Sequence, residues 1–472
     1  MNKKINKLYQ SYFKSDDIFK NISLLGLGCY AFLLPFMQNP FSPLFPELEN
    51  FSRFQITDII FITFSPFFIV EFFKKKDYLF KNYKLQIFSC IIYLIIIFIS
   101  IKDFSIIDSY FQLFAALYLI LLFFAFLVVV SSKFDLNFLI KAVLISIFLN
   151  VCLSLFSLFI LYLFDIRWDY IIQETRIFPY LGKVPRLIGP FKPTAKLLAS
   201  YLTLTTPAIL ALGYLLKRKS RVILFFIGIS SILIYPFTLA RGIVGFLFSL
   251  TFLSYYFQNN ILQRYLFKFL TFITTISFLS VTILSTIYIS DINIKYSFDN
   301  NLNHPNTQYF YYLPNKGKET ISNEISFARD HYFLLKKAAL IMIKENPLGV
   351  GIDNFQKSLS QLEERKIMPK GLSFYPTPQS QLLFAGSERG VLGILSVIFL
   401  FISWIYPLFK RRKNLIIFAS MGSLFALCFI DSLHLEILRF RFLWFYTALI
   451  ITYAKIYFPD KKIRSDVLED IN

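Results

Sequence analysis

Long apolar runs separated by polar connections dominate the chain. Leu85–Ile101, Tyr110–Val130 and Val222–Ile234 contain no charged residue and are rich in Phe, Ile and Leu. An apolar stretch of about 20 residues matches the hydrocarbon thickness of a bilayer. Runs of this kind recur from end to end, and they predict twelve spanning helices. These fall at 20–37, 54–73, 85–101, 109–132, 138–164, 194–216, 222–240, 242–257, 265–289, 390–409, 415–431 and 441–458. The expected fold class is therefore all-α and polytopic, with residues 1–472 forming a single integral membrane domain.

Two connections are longer than the rest. One is 165–193, with 29 residues, and the other is 290–378, with 89 residues between spans 9 and 10. A loop of the second length is usually functional or disordered. It mixes acidic and basic residues with Asn and Pro clusters, and holds one apolar stretch, Tyr332–Ile343. That stretch is too short to span but suits a helix at the interface or packed over the spans. It leaves no evident room for a soluble domain. No internal repeat is visible, and the position of the loop argues against a transporter built from two similar six-helix halves.

Composition narrows the class further. Hydrophobic residues make up 56% of the chain and charged residues 17%, against about 25% charged in soluble proteins. A soluble enzyme, a disordered chain and a disulfide scaffold are excluded. The excess of 49 basic over 29 acidic residues, +20 in all, would point to nucleic acid in a soluble protein. Here it sorts with topology instead. Connections expected inside hold 23 Lys and Arg in 66 residues, and short connections expected outside hold 9 in 62. By the positive-inside rule this places both termini in the cytoplasm and the protein in the inner (cytoplasmic) membrane. The first 20 residues are polar and basic, so the first span is expected to be an uncleaved anchor. Cys29, Cys90, Cys152 and Cys428 lie in apolar runs and read as small buried apolar residues. His304, His331 and His434 share no ligand spacing, so neither a metal nor a cofactor is expected.

Four segments carry candidate chemistry. In Val184–Thr194, Arg186 sits among Gly and Pro at the expected outer surface. Its fork suits bidentate binding of phosphate, or equally a snorkelling contact with lipid headgroups. In Thr238–Gly242, Arg241 lies between two apolar runs with almost no loop. At that depth an Arg faces a cavity or partner, unless the tight turn lets it reach headgroups; Gly242 and Gly245 permit close packing beside it. In Glu345–Phe355, Pro347 ends a helix and Gly349 and Gly351 make a tight turn. As a phosphate loop this lacks a strand and a Walker lysine, and a structural turn is the better isolated reading. In Pro378–Gly393, Gln379, Ser380 and Gln381 place polar groups at the membrane entry, and Glu388 and Arg389 begin an apolar run.

In this order and at these positions the four segments resemble the O-antigen ligase and polymerase superfamily over roughly residues 180–440. Arg186, Gly189 and Phe191 resemble its Arg-x-x-Gly-x-Phe segment. Thr238, Arg241 and Gly242 resemble its Thr-x-Ser-Arg-Gly step, with Ala240 replacing Ser. Asn346, Pro347, Gly349 and Gly351 resemble its Asn-Pro-x-x-Gly-x-Gly turn, one residue short, and Gln379, Ser380 and Gly390 its His-Asn/Ser…Gly pattern. The resemblance implies a membrane glycosyltransferase that uses a polyprenyl-diphosphate-linked glycan, with Arg186 and Arg241 on the diphosphate. Its partners would be that donor, a lipid or glycan acceptor and membrane lipids, with no nucleic acid. Where the family carries a histidine read as the general base, this chain has Gln379, which has no titratable lone pair near neutral pH. His331, Asp353 and Glu388 are the candidate substitutes. A lipid or glycan transporter and an inactive glycan-binding relative are the alternative readings.

The charge sorting generates a direct test. Cysteines introduced at Ser297 and Lys413 should differ, with only position 297 reacting with an impermeant thiol reagent in intact cells. Labelling at 413 would overturn the assignment.

Overall fold

The computed structural model describes residues 17–36, 55–102, 107–169, 171–178, 182–190, 195–216, 218–240, 242–256, 265, 268–269, 272, 292–295, 311–314, 334–368 and 372–459. The bundle comprises α1 (Ile18–Leu33), α2 (Ile56–Asn82), α3 (Lys84–Ile99), α4 (Ile107–Val129), α5 (Lys133–Phe164), α6 (Ala195–Leu215), α7 (Arg218–Ile234) and α8 (Ile243–Tyr256). After helix α9 (334–345) come α10 (Phe355–Glu364), α11 (Gln381–Phe409), α12 (Leu415–Phe425) and α13 (Arg441–Tyr457). Eleven of the twelve expected spans coincide with these helices, while 265–289 lies mostly outside the described residues. Seven helices among the described residues are long and apolar enough to cross a membrane.

The bundle exposes apolar side chains around a largely apolar core that also encloses polar ones. Phe88, Ile99, Phe114 and Leu395 are each more than half exposed, as expected of surfaces solvated by lipid. Ser, Thr and Gln side chains sit inside and join helices where no water competes. Ser89 Oγ donates to Ser403 Oγ at 2.8 Å and Gln86 Nε2 to the Ser403 carbonyl at 2.7 Å, tying α3 to α11. Trp404 and Trp444 meet edge to face at 4.9 Å in the core.

Polar contacts sort into two ends. At the basic end Lys20 pairs with Asp135 at 2.9 Å, and Lys75 Nζ donates to the Val128 carbonyl at 3.1 Å. There too, Tyr256 Oη donates to the Lys413 carbonyl at 2.7 Å and Arg411 Nε to the Phe458 carbonyl at 2.7 Å. At the distal end Asp58 pairs with Arg441, Ser100 meets Ile352, and Lys196 meets Gln379. Loops expected on one side thus touch only loops expected on that side in these contacts.

Three features depart from the sequence reading. Helix α2 continues through the expected connection at 74–82, with one non-helical residue, Lys75 (φ −118°). Glu71 holds this stretch by pairing with both Lys74 and Lys75 at 3.2 Å. The connection 165–193 contains an antiparallel hairpin of β1 (Ile172–Phe178) and β2 (Gly182–Leu187), and 290–378 contains a second, β3 (Ile292–Lys295) with β4 (Tyr311–Pro314). The long loop also has a small core of its own. Leu335, Ala338 and Met342 of α9 pack on Phe355, Leu359 and Leu362 of α10. The apolar stretch at 332–343 therefore packs against a second, amphipathic helix.

Arg441 grips Asp58 through Nε at 2.7 Å and Nη2 at 2.6 Å, while Asp58 also accepts the Gln55 amide at 2.9 Å. Breaking a buried pair leaves an uncompensated charge, whereas replacing both partners by apolar groups is often neutral. Asp58→Ala should lower unfolding stability in micelles by about 3 kcal/mol. The double variant Asp58→Leu with Arg441→Met should recover most of the loss. An equal loss in the double variant would contradict this account of the pair.

Candidate functional site

The distal end is organised around a break in α11. Gly390 has φ +68° and ψ −163°, so the helical ladder is interrupted there. The Asn346–Asp353 turn supplies replacement partners from its backbone. Val350 N–H donates to the Ser387 carbonyl at 2.8 Å, Gly351 N–H to the Glu388 carbonyl at 2.9 Å, and Val391 N–H to the Pro347 carbonyl at 3.0 Å. The approach is close enough to require glycine on both sides. A Cβ on Gly349 (φ +85°) would lie 2.3 Å from the Glu388 oxygen, and one on Gly390 2.1 Å from the Pro347 oxygen.

Side chains reinforce the junction. Glu388, only 1% exposed, accepts the Asp353 amide at 3.0 Å. Lys102 Nζ donates to the Gly349 carbonyl at 2.6 Å. Arg389 turns to Tyr93, lying over its ring at 5.5 Å, so the neighbouring charges take separate partners. Asp353 is exposed, with its carboxylate accepting from Gln112 Nε2 at 3.4 Å. Its contact residue Glu388 lies eight residues beyond Ser380, about 12 Å along a helix at 1.5 Å per residue. Asp353 therefore belongs to the junction rather than to the Gln379 neighbourhood.

Gln379 stands just before α11 in a left-handed conformation, φ +52°. Among the described residues the other non-glycine positions with positive φ are Asp353 and three that close helical segments, Asp165, Leu239 and Lys366. Such strain persists only where surrounding structure enforces it, and it concentrates at functional sites. The Gln379 Oε1 accepts from Lys196 Nζ at 3.2 Å, which ties the start of α6 to the entry of α11. Ser380 is buried and caps α11, and its Oγ donates to the Ser432 carbonyl at 3.2 Å. Gln381 Oε1 accepts the Leu438 amide at 3.1 Å.

Next to Ser432 is Asp431, a carboxylate the sequence reading passed over. It is 1% exposed, and among the described residues neither oxygen reaches a hydrogen-bond partner in good geometry, although the Gly245 amide faces it. It presses on Gly242, just before α8, and on Gly245 in its first turn. A Cβ would lie 2.3 Å from its Oδ1 at Gly245 and 3.1 Å from its Oδ2 at Gly242. Tyr235, stacked on Phe246 at 3.9 Å, completes the wall. Arg241 lies outside the described residues, as does His331. The glycines expected to pack beside Arg241 thus admit the Asp431 carboxylate, six residues beyond α12.

Arg186 lies on β2, in register with Glu174 of β1, and Gly189 follows at the turn into α6. The Gly189 amide donates to the Ile171 carbonyl at 3.2 Å, and the turn packs on Asn150 and Leu198. From the cover, Lys336 Nζ meets His434 Nδ1 at 3.0 Å. No group of three or more possible metal ligands occurs among the described residues. No protein-family model matches the chain, and no curated protein matches it. In chemical terms the distal end offers strained polar residues, a desolvated carboxyl group and basic side chains beneath a helical cover.

The glycine junction yields a stability test. Gly349→Ala and Gly390→Ala should each cost at least about 2 kcal/mol, from the strained φ and the backbone clash. Thermal unfolding in detergent measures this; values within error of the unaltered protein would contradict the junction geometry.

Proposed function

We propose that the protein is a membrane glycosyltransferase that moves a glycan from a polyprenyl-diphosphate carrier to an acceptor hydroxyl on a lipid or another glycan. The observation that carries this reading is convergence. Segments that resemble the superfamily motifs but lie far apart in sequence meet at one end of the bundle: the Pro347–Gly351 turn bonds to Ser387–Val391, β2 with Arg186 packs on the Tyr235–Thr238 turn, and the Gln379–Ser380 entry reaches Ser432, next to the Asp431 that touches Gly242.

In this reading Arg186 and Arg241 bind the diphosphate, since a guanidinium fork matches phosphate oxygens. The acceptor approaches from outside, beneath α9 and α10. Its hydroxyl oxygen bonds to the anomeric carbon as the bond from that carbon to the diphosphate oxygen breaks, and polyprenyl diphosphate leaves. Gln379 orients the acceptor but cannot take its proton. Asp431 is the better base: a carboxylate can take the proton of the acceptor hydroxyl, which an amide cannot.

The distal end is outward and the basic end cytoplasmic, because cytoplasmic connections carry the excess of Lys and Arg. Twelve crossings fit this arrangement. The chain is at the basic end at Tyr256 and at the distal end by Lys336, a change that one crossing within 265–289 provides.

Turnover of labelled lipid-linked glycan tests the proposal. The unaltered protein should release polyprenyl diphosphate. Gln379→Ala should slow release about fivefold, the loss of one neutral hydrogen bond. Asp431→Asn should slow it by roughly 10² to 10⁴, while Gln379→His retains or raises the rate. An intact donor in every case, with the cognate acceptor supplied, would contradict enzymatic transfer and favour transport or binding alone.

A further inference from the structure

The cytoplasm-facing, basic end of the bundle holds a cavity that glycosyl transfer does not use. It has a volume of about 530 Å³ and is lined by Tyr214 and Leu215 of α6, Tyr256 of α8, the Lys410–Leu415 turn and Phe458–Pro459. Lys410, Arg411 and Lys413 line it, and among the described residues no carboxylate does. We propose that this cavity binds the phosphate headgroup of an anionic phospholipid from the adjoining leaflet.

Three observations support a built site. First, its wall is held in place. Arg411 is fixed by bonds to the Phe458 carbonyl at 2.7 Å and the Pro407 carbonyl at 3.0 Å, and Tyr256 pins the Lys413 carbonyl at 2.7 Å. Asn414 accepts the Ile416 and Ile417 amides at 3.0 and 3.2 Å, fixing the start of α12. Second, Lys410 and Lys413 are exposed at the mouth of this frame, Lys410 with its Nζ over the Tyr406 ring at 4.6 Å. Third, an apolar cavity opens beside the same helices, lined by Leu212 and Ile209 of α6, Ile416 of α12 and Leu449 and Ile450 of α13.

A cationic pocket beside an apolar slot fits an amphiphile with an anionic head. Free phosphate has nothing to place in the slot. Basic pockets between spanning helices on the cytoplasmic side are a recurring solution for anionic lipid heads, each Lys near the surface contributing attraction that salt weakens.

The test uses the full chain in detergent, titrated separately with short-chain phosphatidylglycerol, short-chain phosphatidylcholine and inorganic phosphate. Native mass spectrometry and the unfolding midpoint report binding. Phosphatidylglycerol should be retained and should raise the midpoint, with little effect from the other two. Lys410→Gln with Lys413→Gln should weaken its apparent affinity on the order of tenfold or more, while Lys410→Arg with Lys413→Arg keeps it. Equal retention of both lipids, an equal effect of inorganic phosphate, or unchanged affinity in the glutamine double variant would overturn the proposal.

Discussion

A bilayer supplies no water to satisfy backbone groups, so a broken helix at membrane depth survives only where other protein atoms complete its hydrogen bonds. The break at Gly390 in α11 meets this condition through the Pro347–Gly351 backbone. The rest of the distal end follows from that splice. It anchors the small α9–α10 core to the bundle, and buries Glu388 with one carboxylate oxygen on the Asp353 amide. The short helical piece ahead of the break then presents Ser380 to Ser432 and Gln379 to Lys196. Gly349 and Gly390 are required because either Cβ would enter the facing backbone.

The same solvent constraint separates structural from functional charge. Asp58 is desolvated but held by both arms of Arg441 and by a backbone amide, and Glu71 is held by two lysines. These groups orient helices and explain themselves. Asp431 does not: it is as deeply buried, and its oxygens find no comparable partner among the described residues. Evicting a carboxyl group from water without compensation is expensive, and a protein that retains one inside a membrane bundle generally uses it. Its place between the glycines at the start of α8 and Ser432 ties that use to the segments singled out from sequence.

Much of the architecture was legible because lipid imposes a simple pattern. Apolar runs marked most helices within a few residues, although α2 runs nine residues past its expected end and α11 begins nine before its expected start, and Pro347 and the glycines after it marked a turn. What escaped depended on long-range contact. Nothing local to Asp431 distinguishes it, since its meaning comes from Gly242 and Gly245, nearly two hundred residues earlier. Lys196 follows the Arg186 segment closely, yet only the fold brings it to Gln379. Pro185 made the β2 strand hard to see, although a two-stranded hairpin leaves its amide position free of any ladder on the open edge. The α10 helix was missed because its apolar positions, Phe355, Leu359 and Leu362, are spaced at helical period among polar residues rather than run together.

The central claim is that the distal end receives a lipid-linked diphosphate. A photoreactive polyprenyl-diphosphate analogue, cross-linked to the full chain in membranes and mapped by mass spectrometry, measures this most directly. The account predicts adducts in the peptides around Arg186, Gly242, Gln379 and Asp431, suppressed by excess unlabelled polyprenyl diphosphate. Competable adducts confined to the Lys410–Lys413 turn, or none anywhere that the competitor suppresses, would contradict it.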